Sequence, residues 1–368
     1  MSEQAWLAAW VAGGVAFATC LLIVMTRRWH GHFTLDGTDG VQKFHAAPTP
    51  RIGGLGVALG LVVSRNMLEP AVAQILGALL LCAIPAFFSG LGEDLTRRVS
   101  VRTRLLATMA SGALAWWLAD AALRRLDIPV VDAWLAWAPL SLVFTAFAVG
   151  GVANAVNIVD GFNGLAAGIL LIALAALGLL AQGVGDTAVA SVCWLVGAAV
   201  LGFGLVNFPL GKIFLGDGGA YLLGYLLAAL AVLVSTRNPQ ISPWAALMAC
   251  AYPILEVGFS VVRRIRRQYP AGHPDRLHLH SLINRRIIRK RFAPLSATLQ
   301  NSAVSPIVWG LAAAPAVCGL LFRDSTPRLM AATLLFGLLY AIAYLRLVRF
   351  SWFWRARRSV LPGAVNSR

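Results

Sequence analysis

Apolar residues in this chain come in continuous runs of roughly 18 to 25, the length at which an α-helix crosses about 30 Å of hydrocarbon. Inside a bilayer no water is available to satisfy peptide groups, so each crossing segment must bond its own backbone, as a helix does. The runs lie near 6–26, 52–68, 70–89, 104–123, 133–152, 164–182, 187–208, 214–235, 241–262, 298–322 and 327–347. They predict an all-α, polytopic integral membrane protein with about eleven transmembrane helices. Continuous rather than alternating hydrophobicity excludes a β-barrel. Composition agrees: 59% of the 368 residues are hydrophobic and 12% charged, whereas soluble domains carry about a quarter charged.

The segment before the first run, MSEQAW, has an acid and no base, unlike a secretory signal, whereas Arg27 and Arg28 follow the run. The positive-inside rule then predicts an N-terminus outside and a first loop in the cytoplasm. Carried along the chain, this orientation places Arg65, Arg124, Arg125, Arg237, Arg323 and Arg328 outside and the other 25 of the 31 Lys and Arg inside. All six histidines fall inside as well. Residues 1–350 read as a single transmembrane catalytic domain and 351–368 as a basic cytoplasmic tail. The net charge of +16 is what this rule and anionic headgroups produce, and needs no nucleic-acid partner. Cys20, Cys82, Cys193, Cys250 and Cys318 stand singly in apolar runs, so they read as buried inert thiols rather than disulfides or zinc ligands.

The unusual residues concentrate in five inside segments: 27–54, 90–104, 153–164, 211–219 and 263–297. In GKIFLGDGGAYLLGY (211–225), Asp217 lies between glycines where an apolar run begins. Glycines let a ligand approach the backbone, and the start of the next helix presents N–H groups to an anion. Asp217 is a hard carboxylate suited to Mg²⁺, or a turn residue capping a helix. Asn154, Asn157, Asp160 and Asn163 recur every three residues, as a binding stripe or a hydrogen-bonding strip between helices. Glu93 and Asp94 end the third run, followed by arginines beginning at Arg97; they are metal ligands, a base, or an ordinary helix end. Lys43, His45 and Arg51 surround two prolines in a stiff basic loop. His273, Asp275, Arg276, His278 and His280 crowd into 273–280, where imidazoles and a guanidinium suit phosphate or sugar hydroxyls better than zinc. Together, acids for Mg²⁺, glycine-rich anion sites and basic donors on one face describe phosphoryl transfer at a membrane surface.

Four of these segments occur as K-x-H-x-x-P-T-P-R-x-G-G at 43–54, N-x-x-N-x-x-D-G at 154–161, F-L-G-D-x-G at 214–219 and P-D-R-x-H-L-H at 274–280. In this order and spacing the chain resembles the polyprenyl-phosphate N-acetylhexosamine-1-phosphate transferases, over essentially its whole length. The resemblance implies transfer of an N-acetylhexosamine-1-phosphate from a UDP-sugar to undecaprenyl phosphate, releasing UMP, to begin O-antigen, teichoic-acid or related glycan synthesis. It implies Mg²⁺ (Mn²⁺ as a substitute), held by Asp217 with Asp94. It gives catalytic roles to Asp94, Glu93, Asp217, Lys43 and His45. It assigns nucleotide contacts to Asn154, Asn157, Asp160 and Asn163, a uracil stack to Phe214, and donor contacts to Arg51, Arg97, Asp275, Arg276, His278 and His280. It also implies a bacterial inner-membrane location with a cytoplasmic active site; small-residue stripes allow a homodimer. Three positions depart from the pattern: Glu93-Asp94 replaces Asp-Asp, D-G-F-N replaces D-G-x-D, and Ser281 replaces a third histidine. The related phospho-muramoyl-pentapeptide transferases are the alternative within this chemistry. A multipass transporter is the alternative outside it, for which Glu256, an acid inside a span, is the residue of interest.

Overall fold

The computed structural model of the protein describes residues 2–36, 48–266, 268 and 277–349. In chain order, α1 (Glu3–Met25) and α2 (Arg27–Thr34) lead into a two-stranded antiparallel ribbon, β1 (Leu35–Asp36) with β2 (Thr49–Pro50). There follow α3 (Gly54–Arg65), α4 (Pro70–Cys82), α5 (Ile84–Thr96), α6 (Val101–Leu118), α7 (Pro129–Leu135), α8 (Ala138–Val159), α9 (Leu165–Gln182) and α10 (Thr187–Asn207). The second half comprises α11 (Gly216–Arg237), α12 (Pro243–Ala249), α13 (Ala251–Arg266), α14 (Leu279–Ile283), a π-helical turn at Asn284–Ile288, α15 (Arg289–Arg291), α16 (Ala297–Ser302), α17 (Val304–Leu321) and α18 (Thr326–Arg349).

The protein is thus all-α and polytopic. Among the described residues seven helical segments are long and apolar enough to cross a membrane: α1, α8, α9, α10, α11, α16 with α17, and α18. Two bent pairs, α4 with α5 (49°) and α12 with α13 (78°), raise the number to nine. The two other expected spans coincide with α3, only 12 residues long, and α6, whose first turn carries Arg102 and Arg104. Length and apolarity therefore give seven to nine crossings where the apolar runs suggest eleven.

Helix α11 is the axis of the bundle, with every residue from Gly218 to Leu230 buried among α3, α5, α8 and α9. Small residues permit this close packing. A Cβ on Gly54 would come within 2.3 Å of the Gly219 Cα, and one on Gly224 within 2.7 Å of the Ala153 Cα.

The loops segregate to two ends. At one end Arg125 donates to the carbonyls of Pro239 and Ile241, and Trp244 Nε1 to that of Leu126. Asp186 caps α10 there, accepting from Val189 N at 3.2 Å, Arg237 Nε at 2.8 Å and Asn238 Nδ2 at 3.3 Å. Burial pushes the Asp186 carboxyl up, but these hydrogen bonds and the Arg237 charge outweigh it and hold it below the ordinary value. Its contribution to stability is accordingly present above about pH 4 and is lost as pH falls through the depressed folded value. Asp186→Ala should cost about 1–2 kcal/mol of stability, read as a lower thermal midpoint in detergent. Turnover should be unchanged, because α10 and α11 put Asp186 roughly 30 Å from the other end of the bundle. Lost turnover at unchanged stability would contradict this division of the molecule.

Candidate active site

At the opposite end, the segments carrying the sequence motifs are bonded to one another through their backbones. Phe214 N donates to Pro50 O at 2.8 Å, Gly53 N to Phe214 O at 2.9 Å and Gly54 N to Leu215 O at 2.9 Å. The P-T-P-R-x-G-G and F-L-G-D-x-G stretches therefore form one unit. Gly216 has φ +77°, and a Cβ there would meet the Arg51 carbonyl at 2.0 Å, so this turn requires glycine. The half-buried Phe214 sits in this unit.

The turn presents the start of α11 to the end of α5. Asp94, 1% exposed, accepts from Asp217 N at 3.0 Å and Gly218 N at 2.9 Å. It thus satisfies two of the amides that a helix start leaves without partners. Arg51 closes the other helix end: its guanidinium donates to the carbonyls of Glu93 and Asp94 at 2.9 Å each, and its Nε lies 3.9 Å from Asp94 Oδ1. Glu93 faces away from this junction and accepts from Val99 N at 2.8 Å, bracing the α5–α6 turn. Arg97, left-handed at φ 56° and exposed, donates to Leu35 O.

Asp217 itself points outward, its side chain 23% exposed. One oxygen pairs with Arg104 from α6, and the other accepts from Asn157 Nδ2 at 2.8 Å. Tyr221 OH donates to Asn157 Oδ1 at 3.5 Å, and Asn154 Nδ2 to Thr108 Oγ1 at 3.0 Å. Asp160 terminates α8, and burial pushes its carboxyl up to about 7. The native state thus keeps that proton to higher pH than the unfolded chain, and its stabilising effect is lost as pH rises from about 4 to about 7.

Asn163 lies apart from this face. It is 4% exposed, donates from Nδ2 to Ser302 Oγ and Pro209 O and from its backbone N to Asn301 Oδ1, and accepts at its carbonyl from Ser305 Oγ. That places it as an anchor for α16 and α17, not beside Asn157. Asp94 lies beneath Asp217 and spends both oxygens on backbone amides. His278 and His280 are buried, their rings stacked at 5.3 Å with 7° between planes. His280 meets Phe162 edge-on at 5.6 Å, which joins the histidine segment to the loop after α8. Lys43, His45, His273, Asp275 and Arg276 fall outside the described residues.

Sequence reasoning did not single out Arg104, Tyr221 or Asn207. Asn207 accepts from Gly164 N at 2.6 Å and donates to Ile213 O at 2.7 Å, bridging two motif loops. Its signal was available, since a carboxamide at the end of an apolar run is costly unless bonded. Among the described residues no three His, Cys, Asp or Glu side chains converge into a metal cage. A hard cation here would rest on Asp217 together with oxygens that a substrate brings.

The approach of α5 to α11 gives a direct check. A Cβ on Gly90 would lie 2.5 Å from the Asp217 carbonyl atoms and 2.6 Å from Gly218 N, where only backbone could yield. Gly90→Ala should therefore reduce turnover at least about tenfold in protein that still inserts. A wild-type rate would show that this contact does not position Asp217.

The family model for glycosyl transferase family 4 matches residues 76–235, which contain Asp94, Asn154, Asn157, Asp160 and Asp217. Over that segment the chain is similar to glycosyl transferase family 4. The chain is also similar to the undecaprenyl-phosphate alpha-N-acetylglucosaminyl 1-phosphate transferase of Escherichia coli O157:H7, 28% identical over 297 residues, covering 78% of this chain and 80% of the relative. The Salmonella typhi protein of that name is 29% identical over 296 residues, with the same coverage. The probable undecaprenyl-phosphate N-acetylglucosaminyl 1-phosphate transferase of Bacillus subtilis (strain 168) is 29% identical over 252 residues, covering 65% of this chain and 66% of its own. All three alignments are long enough to reach well beyond the segment that the family model matches.

Proposed function

We propose that this protein transfers N-acetylglucosamine-1-phosphate, or a related N-acetylhexosamine-1-phosphate, from its uridine diphosphate donor to undecaprenyl phosphate, releasing UMP. The observation that carries the reading is the junction at Asp217. A half-buried carboxylate with arginine and asparagine partners is set at a helix start by two glycine-rich motifs, in a chain similar to proteins that bear that activity in their names.

A cleft of about 750 Å³ between α8 and α13 supports the same acceptor. It is lined almost entirely by apolar side chains, including Phe144, Phe147, Val152, Leu247, Ile254 and Val261. A polyprenyl chain has only hydrocarbon to bury, and such a wall suits it.

The lipid phosphate oxygen attacks the sugar-bearing phosphorus; the bond from that phosphorus to the bridging oxygen breaks, and UMP leaves with the bridging oxygen. A phosphomonoester is mostly dianionic at pH 7, its second pKa being near 6, so a strong general base is not needed. The main barrier is bringing two anions together. Positive charge on Arg104, which pairs with Asp217, and on Lys43 and Arg276 of the motif segments would reduce it. Mg²⁺ on Asp217 would neutralise charge on the donor's diphosphate. Arg51 holds the end of α5 and Asn157 orients the Asp217 carboxylate.

The chain crosses a bacterial inner membrane eleven times in this reading, N-terminus outside and site cytoplasmic, with a homodimer as its assembly and the start of a cell-surface glycan as its task. Membranes supplied with undecaprenyl phosphate and a panel of UDP-N-acetylhexosamines should release UMP, dependent on the lipid and on Mg²⁺. Absence of UMP with every donor would overturn the reaction.

A further inference from the structure

Glu256 of α13 is 1% exposed and is met by donors from three directions. Tyr340 OH of α18 donates at 2.9 Å, Tyr252 OH of its own helix at 3.3 Å, His278 Nδ1 at 2.9 Å and Leu279 N at 3.1 Å. His280 Nδ1 stands 3.9 Å away. A buried carboxylate is costly, and an apolar residue would fill the same space more cheaply. Here four donated hydrogens compensate it, and two come from the short segment that carries both histidines.

A carboxylate only accepts hydrogen bonds, so the hydrogen between Glu256 and His278 sits on Nδ1. Two of the rotations that would displace the His278 ring are blocked, one by that bond and one by the stack on His280. The preceding residue is fixed as well: Arg263 donates to Leu277 O at 3.0 Å and to Tyr344 OH at 2.9 Å. Glu256, Ser260 and Arg263 follow one side of α13 at helical spacing, and Ile254, Val257, Gly258 and Val261 line the apolar cleft on the other. Among the described residues, the charged and titratable groups facing Glu256 are thus His278 and His280 from the histidine segment, Tyr340 from α18, and Tyr252 from its own helix, with Arg263 about two turns away.

We infer that Glu256 is a positioning residue for the transfer: it sets the ring orientation and the protonated nitrogen of His278, and through the stack that of His280, so that the pair meets the nucleotide-sugar donor. The inference rests on the reaction proposed above and extends it to a residue with no direct contact with substrate.

The test uses full-length protein in nanodiscs, comparing wild type, Glu256→Gln, His278→Gln and the double variant. Glu256→Gln should raise KM for the UDP-sugar about tenfold while KM for undecaprenyl phosphate stays within about twofold, a split that general loosening of the fold would not give. The double variant should be no worse than His278→Gln alone, because Glu256 acts through that ring. Additive losses, or equal rises in both KM values, would overturn the inference. A second readout needs no turnover: ¹⁵N NMR of histidine-labelled protein should show the His278 proton on Nδ1 in wild type, with the signal displaced by Glu256→Gln. A wild type that releases no UMP sinks the reaction, and the ¹⁵N signal then decides the clamp on its own. If Glu256→Gln does not accumulate, the wild-type spectrum decides, since a His278 proton on Nε2 instead of Nδ1 overturns the arrangement.

Discussion

Asp217→Asn should abolish nearly all UMP release in protein that inserts, binds lipid and melts as wild type does. The backbone at this position, not the side chain, meets Asp94, so the start of α11 stays docked on α5 after the substitution. The carboxylate lost is the one that faces outward between Arg104 and Asn157. An amide oxygen could still accept from Asn157, but the negative charge that opposes Arg104 and would hold a hard cation is gone. Steady-state turnover of purified protein, with a thermal melt alongside, measures both halves. A variant retaining more than about a tenth of the wild-type rate would show a loss below the 1.36 kcal/mol of a tenfold effect, and Asp217 would not be the metal-facing acid.

The crossing helices were legible because burial in hydrocarbon leaves a one-dimensional signature, and the runs near 6–26, 164–182, 187–208 and 214–235 fall on α1, α9, α10 and α11. The same test is blind where polar residues enter a helix: α6 begins with two arginines, and one of them turns inward to Asp217. The motif around Asp217 could be read because glycine on both sides of an acid is a local constraint. Its partner Arg104 could not, since 113 residues of chain separate the two.

The asparagine stripe shows a different limit. A spacing of three on a helix of 3.6 residues per turn drifts by about 60° each step, so Asn154 and Asn157 share a side while a fourth member would point opposite. The helix in fact ends at Val159, and Asn163 turns into the protein to bind Ser302 and Pro209. Glu256 stood out in the sequence as a lone acid within an apolar span, but its partners at 278–280 and 340 are set by packing. In the structure it meets Tyr252, Tyr340 and His278.

Asp94→Asn should be as inactive as Asp217→Asn but, unlike it, should also melt at a lower temperature. Asp94 gives one oxygen to Asp217 N and the other to Gly218 N, so its negative charge is bonded to the start of α11. An asparagine offers one acceptor to those two amides and turns its NH₂ against the second. One buried N–H is left without a partner, at about 1–3 kcal/mol, and the helix start loses a compensating charge. The strain falls on the turn that aims Asp217, so turnover goes with it. Glu93→Gln should behave otherwise. Its carboxylate accepts from Val99 N in the α5–α6 turn, and a glutamine carbonyl can take over that bond. It should keep measurable UMP release, reduced at most by about 10- to 100-fold as for other supporting partners of a reactive group. Glu93→Asp should change the rate modestly and leave the preferred sugar unaltered, because the side chain faces the turn and not the histidine segment. Thermal midpoints and UMP release measured on all three variants separate the roles. An inactive Glu93→Gln beside an active Asp94→Asn would make the first acid the reacting partner, and the docking of α5 under α11 would then be incidental to the chemistry.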